Sequence, residues 1–128
     1  MELILVDTSV WVDHIRHSVP ELANLVRTGR CVMHPYVLAE IALGNLPDWS
    51  RRVIQLRALP VVRPLSTEEL LALIEELRLQ GSGLGFVDGH LLGSCRSASG
   101  TRIWSRDKKL ASIASSLGLA WSESDRAR

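Results

Sequence analysis

The run Leu3-Ile4-Leu5-Val6 is continuously apolar and stops abruptly on Asp7. A strand with one face in water alternates apolar and polar residues. A strand that does not alternate must be covered on both faces, as in a parallel sheet with helices above and below. This segment therefore asks for an α/β domain in which it lies inside the sheet. The remaining 122 residues of a 128-residue chain must supply the neighbouring strands and both helical layers, so the chain is expected to form one domain over residues 1–128. Ser122 to Arg128 forms a polar C-terminal tail.

The rest of the chain is consistent with that requirement. Asp7-Thr8-Ser9 offers capping groups for a helix beginning near Val10, and Pro20 opens a second helix closed by Gly29. Cys31-Val32-Met33 reads as a short second strand, and Pro35 and Gly44 bracket a helix over Tyr36 to Leu43. A short helix follows over Trp49 to Leu56. Val61-Val62 lies between Pro60 and Pro64, which confine it to a sheet edge. Ser66-Thr67-Glu68-Glu69 is a capping box. Behind it Leu70, Leu73, Ile74 and Leu77 mark a helix expected to run until Gly81. A glycine-rich turn over residues 81–85 leads into a helix near Val87 to Arg96. A strand at Arg102-Ile103-Trp104, a helix through Leu110 to Leu117 and a short strand at Ala120-Trp121 complete the pattern. Strands alternating with helices predict a three-layer α/β/α sandwich with a mainly parallel central sheet.

In such sheets ligands bind beyond the carboxyl ends of the strands. Asp7 follows the first strand, and Asp107 comes soon after Trp104. Two further acids stand out by context. Glu40 is the only charge in Tyr36-Val37-Leu38-Ala39-Glu40-Ile41-Ala42-Leu43, where burial would demand a partner. Asp88 begins an otherwise apolar helix. Each aspartate alone is explained as a helix cap or as an early-helix acid facing the macrodipole, but capping does not explain Glu40. Converging carboxylates repel unless some are protonated or a cation neutralises them. Hard oxygen donors select Mg²⁺ or Mn²⁺ over zinc, and Mg²⁺ on carboxylates points to phosphoryl or phosphodiester chemistry.

Other chemistries lack their motifs. The glycines of residues 81–85 follow a helix and lack the spacing of a phosphate-binding loop. Ser9, Ser82 and Ser105 have no G-x-S-x-G context, and His14 and His17 form no H-E-x-x-H. His90 lies about 200° around a helix from Asp88, which makes it a core or surface histidine and no partner of that acid. Cys31 and Cys95 sit in apolar stretches away from metal-ligand spacing and are expected to be reduced. A net charge of +1 announces no nucleic-acid partner by itself. The apolar run at residues 3–6 is far shorter than the ~20 residues of a membrane span, so a cytoplasmic protein without a membrane partner is expected.

The ordered set Leu5-Val6-Asp7-Thr8-Ser9-Val10-Trp11, Val37-Leu38-Ala39-Glu40-Ile41, Gly85-Phe86-Val87-Asp88 and Ile103-Trp104-Ser105-Arg106-Asp107-Lys108-Lys109-Leu110 resembles the PIN-domain ribonucleases. In particular it resembles the VapC-type toxins of toxin–antitoxin pairs, over nearly the whole chain. Ser105 stands where that family often has threonine, and Lys109 where many members carry a further acid. The first departure keeps the hydroxyl. The second bears on whether a second metal would be held.

The resemblance implies a Mg²⁺-dependent endoribonuclease, with Mn²⁺ as a substitute. In it Asp7 and Asp88 anchor the ion, Asp107 and Glu40 complete the pocket, and Ser9 and Ser105 orient the acids. Arg106, Lys108 and Lys109 are candidates for holding the RNA backbone. The resemblance further implies a homodimer and a cognate VapB-type antitoxin whose C-terminal segment covers the acidic site. Trp11, Leu46 and Trp49 are candidates for those surfaces, unless they are ordinary core. The alternatives are an RNA-processing PIN nuclease outside such a pair, or a PIN-fold binding module whose acids are vestigial. A receiver-like or dehalogenase-like domain would share Asp7, but Val61-Val62-Arg63 supplies no acceptor acid and Ser9 stands in place of the second dehalogenase acid.

Overall fold

A computed structural model describes residues 1–123. Strand β1 (Leu3–Val6) lies between β2 (Cys31–Val32) and β3 (Thr101–Trp104), and both pairings are parallel. The register puts Ile4 beside Cys31 and Arg102, and Val6 beside Trp104. Ile4, Leu5 and Val6 are fully buried. Successive residues of a strand point to opposite faces, so both faces of β1 are covered, as its lack of alternation requires. The sheet continues at each edge by a single parallel bridge, Met33 to Val61 on one side and Ile103 to Ala120 on the other. The two proline-flanked valines thus yield one bridge residue, because Pro60 and Pro64 have no N–H to extend a ladder.

Seven helices lie among the described residues: α1 (Thr8–His17), α2 (Pro20–Arg27), α3 (Pro35–Leu43), α4 (Trp49–Arg57), α5 (Thr67–Leu77), α6 (Phe86–Ser97) and α7 (Lys108–Ser116). Together with the all-parallel sheet they form the expected α/β sandwich. Two boundaries differ from expectation. Helix α1 starts at Thr8, because Asp7 itself is the cap. Helix α5 ends at Leu77, short of Gly81. Arg78 turns left-handed at φ 54°, and the Leu79 N–H bonds back to the Ile74 carbonyl at 2.9 Å while the Leu79 side chain packs on the core. This satisfies the terminal carbonyls without a glycine. The Ser66–Glu69 capping box forms in both directions, with the Glu69 N–H on Ser66 Oγ and the Ser66 N–H on Glu69 Oε1.

Helix α6 carries the most deeply buried stretch, residues 89–95. Gly93 is required there, since a β-carbon would fall 2.1 Å from Leu65 Cδ1. Trp11 and Leu46 belong to the core, whereas Trp49 is half exposed and donates its indole N–H to the Ala42 carbonyl. Cys31 and Cys95 are buried free thiols whose pKa burial pushes up to about 12. No helix is long and apolar enough to cross a membrane.

His34 is fully buried and caps α3, its Nδ1 accepting the Tyr36 N–H at 3.0 Å while Nε2 faces Ser94 Oγ at 3.3 Å. The Ser94 hydroxyl donates to the Arg63 carbonyl, so Nε2 carries the single ring proton. Burial first, and the neighbouring His90 second, bring the His34 pKa from 6.5 down to about 4. Below pH 6.5 the unfolded chain takes a proton that the folded chain refuses until about pH 4. Stability therefore falls across that window, by on the order of 3 kcal/mol for this group alone. Urea unfolding at pH 7 and pH 4.5 of the wild type and His34→Gln reads this directly. The wild type should lose more stability between the two pH values than the variant, and equal losses would contradict the assignment.

Candidate active site

Asp7 is the first residue beyond β1, and its N–H still bonds to the Trp104 carbonyl of β3 at 2.9 Å. That strand pairing brings residues 7 and 105 together. Asp7 is 6% exposed, and its two oxygens divide their work. Oδ1 accepts the Thr8 N–H at 2.8 Å, capping α1, while Oδ2 accepts the hydroxyls of Ser9 at 2.9 Å and Ser105 at 2.7 Å. Each serine oxygen in turn accepts a backbone N–H from the segment leading into α7, that of Arg106 on Ser9 and that of Asp107 on Ser105, both at 3.0 Å. The two hydroxyls thus join the ends of β1 and β3 through Asp7, and the carboxylate cannot rotate without breaking all three bonds.

The other acids are held by one oxygen each. Asp107 Oδ1 accepts the Leu110 N–H at 3.0 Å and caps α7, and Asp88 Oδ2 accepts the Gly85 N–H at 3.1 Å at the start of α6. Glu40 Oε1 accepts the Thr8 hydroxyl at 2.6 Å. Among the described residues Asp88 Oδ1, Asp107 Oδ2 and Glu40 Oε2 are left without a protein donor. The capping explanation for the three aspartates is therefore correct as far as it goes, and it leaves a free oxygen on two of them. Burial holds the Asp88 carboxyl above the usual carboxylate range. The Gly85 N–H opposes this, and the charges of Asp7, Asp107 and Glu40 reinforce it. The four acids thus share one electrostatic neighbourhood, and no lysine or arginine acts on Asp88 within it.

Glu40 departs from its sequence context by being exposed. Helix α3 is apolar because it presents side chains such as Leu43, 88% exposed, to its surroundings, and not because it is wholly buried. Thr8 is the site residue that sequence reasoning missed, having been read only as a capping group. It stands between two acids in the chemistry, giving its N–H to Asp7 and its hydroxyl to Glu40. Its adjacency to Asp7 was the available signal.

The three basic candidates occupy different surroundings. The Arg106 guanidinium pairs with Asp13 at 2.9 Å and with Glu123 at 2.6 Å and lies over the Trp104 ring. The Lys109 side chain lies across Gly83, where a β-carbon would come within 2.5 Å of Nζ. Lys108 is exposed at the first position of α7. His90 is 2% exposed and sits among Tyr36, Phe86 and His34, a core histidine as its helical position predicts.

Among the described residues no three His, Cys, Asp or Glu side chains converge tightly enough to hold a metal ion as they stand. The donor chemistry nevertheless suits a hard divalent cation. The acids contribute oxygens alone, three of these oxygens are free, and their mutual repulsion is uncompensated.

A parallel α/β sandwich with acids gathered beyond the ends of β1 and β3 defines a known class. Residues 4–115 match the PIN domain, and the chain belongs to that family. It is 40% identical over 126 residues to Ribonuclease VapC32 of Mycobacterium tuberculosis, across 94% of this chain and 98% of that protein. Two solved structures share the fold at low identity. PAE2754 from Pyrobaculum aerophilum aligns with a TM-score of 0.66 at 18% identity, over 97% of this chain and 91% of that one. The DNA-bound VapBC of Salmonella typhimurium aligns with a TM-score of 0.68 at 16% identity, over 96% and 98%.

Proposed function

We propose that the protein is a Mg²⁺-dependent endoribonuclease toxin neutralised by a cognate antitoxin. The observation that carries this reading is the Asp7 carboxylate, fixed by Ser9 and Ser105 at the joined ends of β1 and β3 and sharing its field with Glu40, Asp88 and Asp107. The kinship with a named ribonuclease at 40% identity supports the substrate class. Asp7 and Asp88 are the residues to hold the ion, with Asp107 and Glu40 completing the pocket. When bound, Mg²⁺ supplies charge neutralisation and a lowered pKa for a water molecule.

This chain's own groups do the rest. Ser9 and Ser105 hold Asp7 in one orientation, so no reorganisation is needed when charge develops on the phosphate. Thr8 fixes Glu40 by Oε1 and leaves Oε2 to align the attacking water and accept its proton. Asp88, with its raised pKa, also has one oxygen free to take part in proton movement. Lys108 and Lys109 flank the fourth acid and are the residues to meet the RNA backbone, more readily than the ion-paired Arg106.

The antitoxin partner is supported by the VapBC structural neighbour and by a cavity of about 230 Å³ between α1 and α3, lined by Val12, Ile15, Arg16, Glu40, Ile41 and Leu46. A peptide seated there would touch Glu40 and so close the acidic site. A homodimer is inferred from the family resemblance alone.

The test is incubation of antitoxin-free protein with total RNA in Mg²⁺ or Mn²⁺, with an EDTA control and mapping of the ends. The expected result is discrete cleavage that EDTA abolishes. Folded protein that leaves all RNA intact would favour a PIN-fold binding module instead.

A further inference from the structure

The chain has one phenylalanine and one tyrosine, and the fold stacks them on each other. Phe86 opens α6 and Tyr36 is the second residue of α3. Their ring centroids are 5.7 Å apart with planes 27° from parallel. The buried His90 ring meets both edge-on, at 4.7 Å from Tyr36 and 4.6 Å from Phe86. Three rings in mutual contact fix the orientation of the outermost one, yet Phe86 remains 65% exposed. A large apolar ring held rigid and left in water is unlike the other buried aromatics of this fold, Trp11, Trp104 and Trp121.

The position of this pair is the second observation. Phe86 and Tyr36 sit on the two helices that carry Asp88 and Glu40. Asp88 lies two residues beyond Phe86, and Glu40 lies one turn beyond Tyr36 on the same face of α3. The separations along the helix axes are about 3 and 6 Å, shorter than the span of a nucleotide from phosphate to base.

Resting on the ribonuclease reading above, we propose that Phe86, backed by Tyr36 and His90, is the platform on which a base of single-stranded RNA stacks beside the cleaved phosphodiester. Every base has a π-face, so stacking on an aromatic side chain fits single-stranded RNA of varied sequence. The acidic cluster itself repels the RNA backbone, so a contact that holds the base and not the phosphate lets the strand approach with its charge directed to the ion. Phe86 is in this role a substrate-binding residue, and Tyr36 and His90 are positioning residues behind it.

The experiment uses the full chain and a short RNA that it cleaves in Mg²⁺, made also with an abasic ribonucleotide at each position flanking the cut. Stacking of this kind is worth ~1–3 kcal/mol, so Phe86→Ala should lower kcat/KM roughly 5- to 100-fold, and Phe86→Trp should restore it. In the wild type one abasic position should cost a similar factor, and in Phe86→Ala that same position should cost nothing further. Phe86→Leu keeps apolar bulk without a π-face and should behave as Phe86→Ala does, which also secures the test should the alanine variant fold poorly. Wild-type rates in both variants, or an abasic penalty unchanged by them, would overturn the platform while leaving the ribonuclease intact. A wild-type dimer that Phe86→Ala converts to monomer in sedimentation would assign the ring to a second copy and overturn it also. Absence of Mg²⁺-dependent cleavage by the wild type would overturn the ribonuclease reading, and the platform with it.

Discussion

Asp7→Asn should leave the fold standing and remove at least about a thousandfold of RNA cleavage, some 4 kcal/mol of transition-state stabilisation. The geometry separates the two roles of this residue. Its structural duties are to cap α1 through Oδ1 and to receive the Ser9 and Ser105 hydroxyls through Oδ2. Asparagine is as good a helix cap as aspartate, and its amide oxygen can replace Oδ1. The amide nitrogen then faces two serine hydroxyls, which can rotate to accept where they formerly donated. Burial of a neutral amide also costs less than burial of a carboxylate at 6% exposure. Stability should therefore stay within about 1 kcal/mol of the wild type. What cannot be replaced is the charge and the second oxygen acceptor that a divalent cation requires. Thermal unfolding and single-turnover cleavage measured on the same preparation check both halves. A variant that melts with the wild type and cleaves at the wild-type rate would remove Asp7 from the chemistry.

Trp104→Ala has the largest expected effect on stability, a loss of roughly 3–5 kcal/mol. Trp104 is 2% exposed and ends β3, and its ring meets Trp121 edge-on at 4.8 Å with the Arg106 guanidinium 5.8 Å above it. Removing it opens a cavity at the edge of the sheet. It also loosens the segment at Trp121, whose N–H bonds to the Ile103 carbonyl at 2.7 Å. For a chain of this size the midpoint should fall by roughly 10–20 °C. Calorimetry measures it, and a fall of less than 5 °C would mean that the two tryptophans do not form a structural pair. Because the Trp104 carbonyl receives the Asp7 N–H, cleavage should also become heat-sensitive well below the wild-type midpoint.

Local features read from the sequence correspond closely to the structure wherever the determinant is local. The Ser66 capping box, the Pro35 and Gly44 brackets of α3 and the unalternating β1 all behave as their residue types dictate. The end of α5 does not. An arginine in the left-handed region is unfavourable by itself and is sustained by the packing of Leu79, which no window around residue 78 reveals. Glu40 shows the same limit from another side. Its apolar surroundings in the sequence suggest burial, but the helix is apolar on an exposed face as well.

The sequence by itself determined the class of the protein. An unalternating strand ending in aspartate, with Glu40, Asp88 and Asp107 in order behind it, requires a buried parallel sheet and marks the residues that stand at its carboxyl edge. These are consequences of local periodicity and of the cost of unpaired charge, both of which act over a few residues. Only the tertiary structure decided how those residues are held and what surrounds them. The Ser105 bond to Asp7 spans 98 positions, the Thr8 bond to Glu40 spans 32, and Arg106 is drawn to Asp13 across 93. Hydrogen bonds and ring contacts reach only a few ångströms in space, so their partners are chosen by the packing of whole helices on the sheet. That packing is the sum of many weak burials spread over the chain.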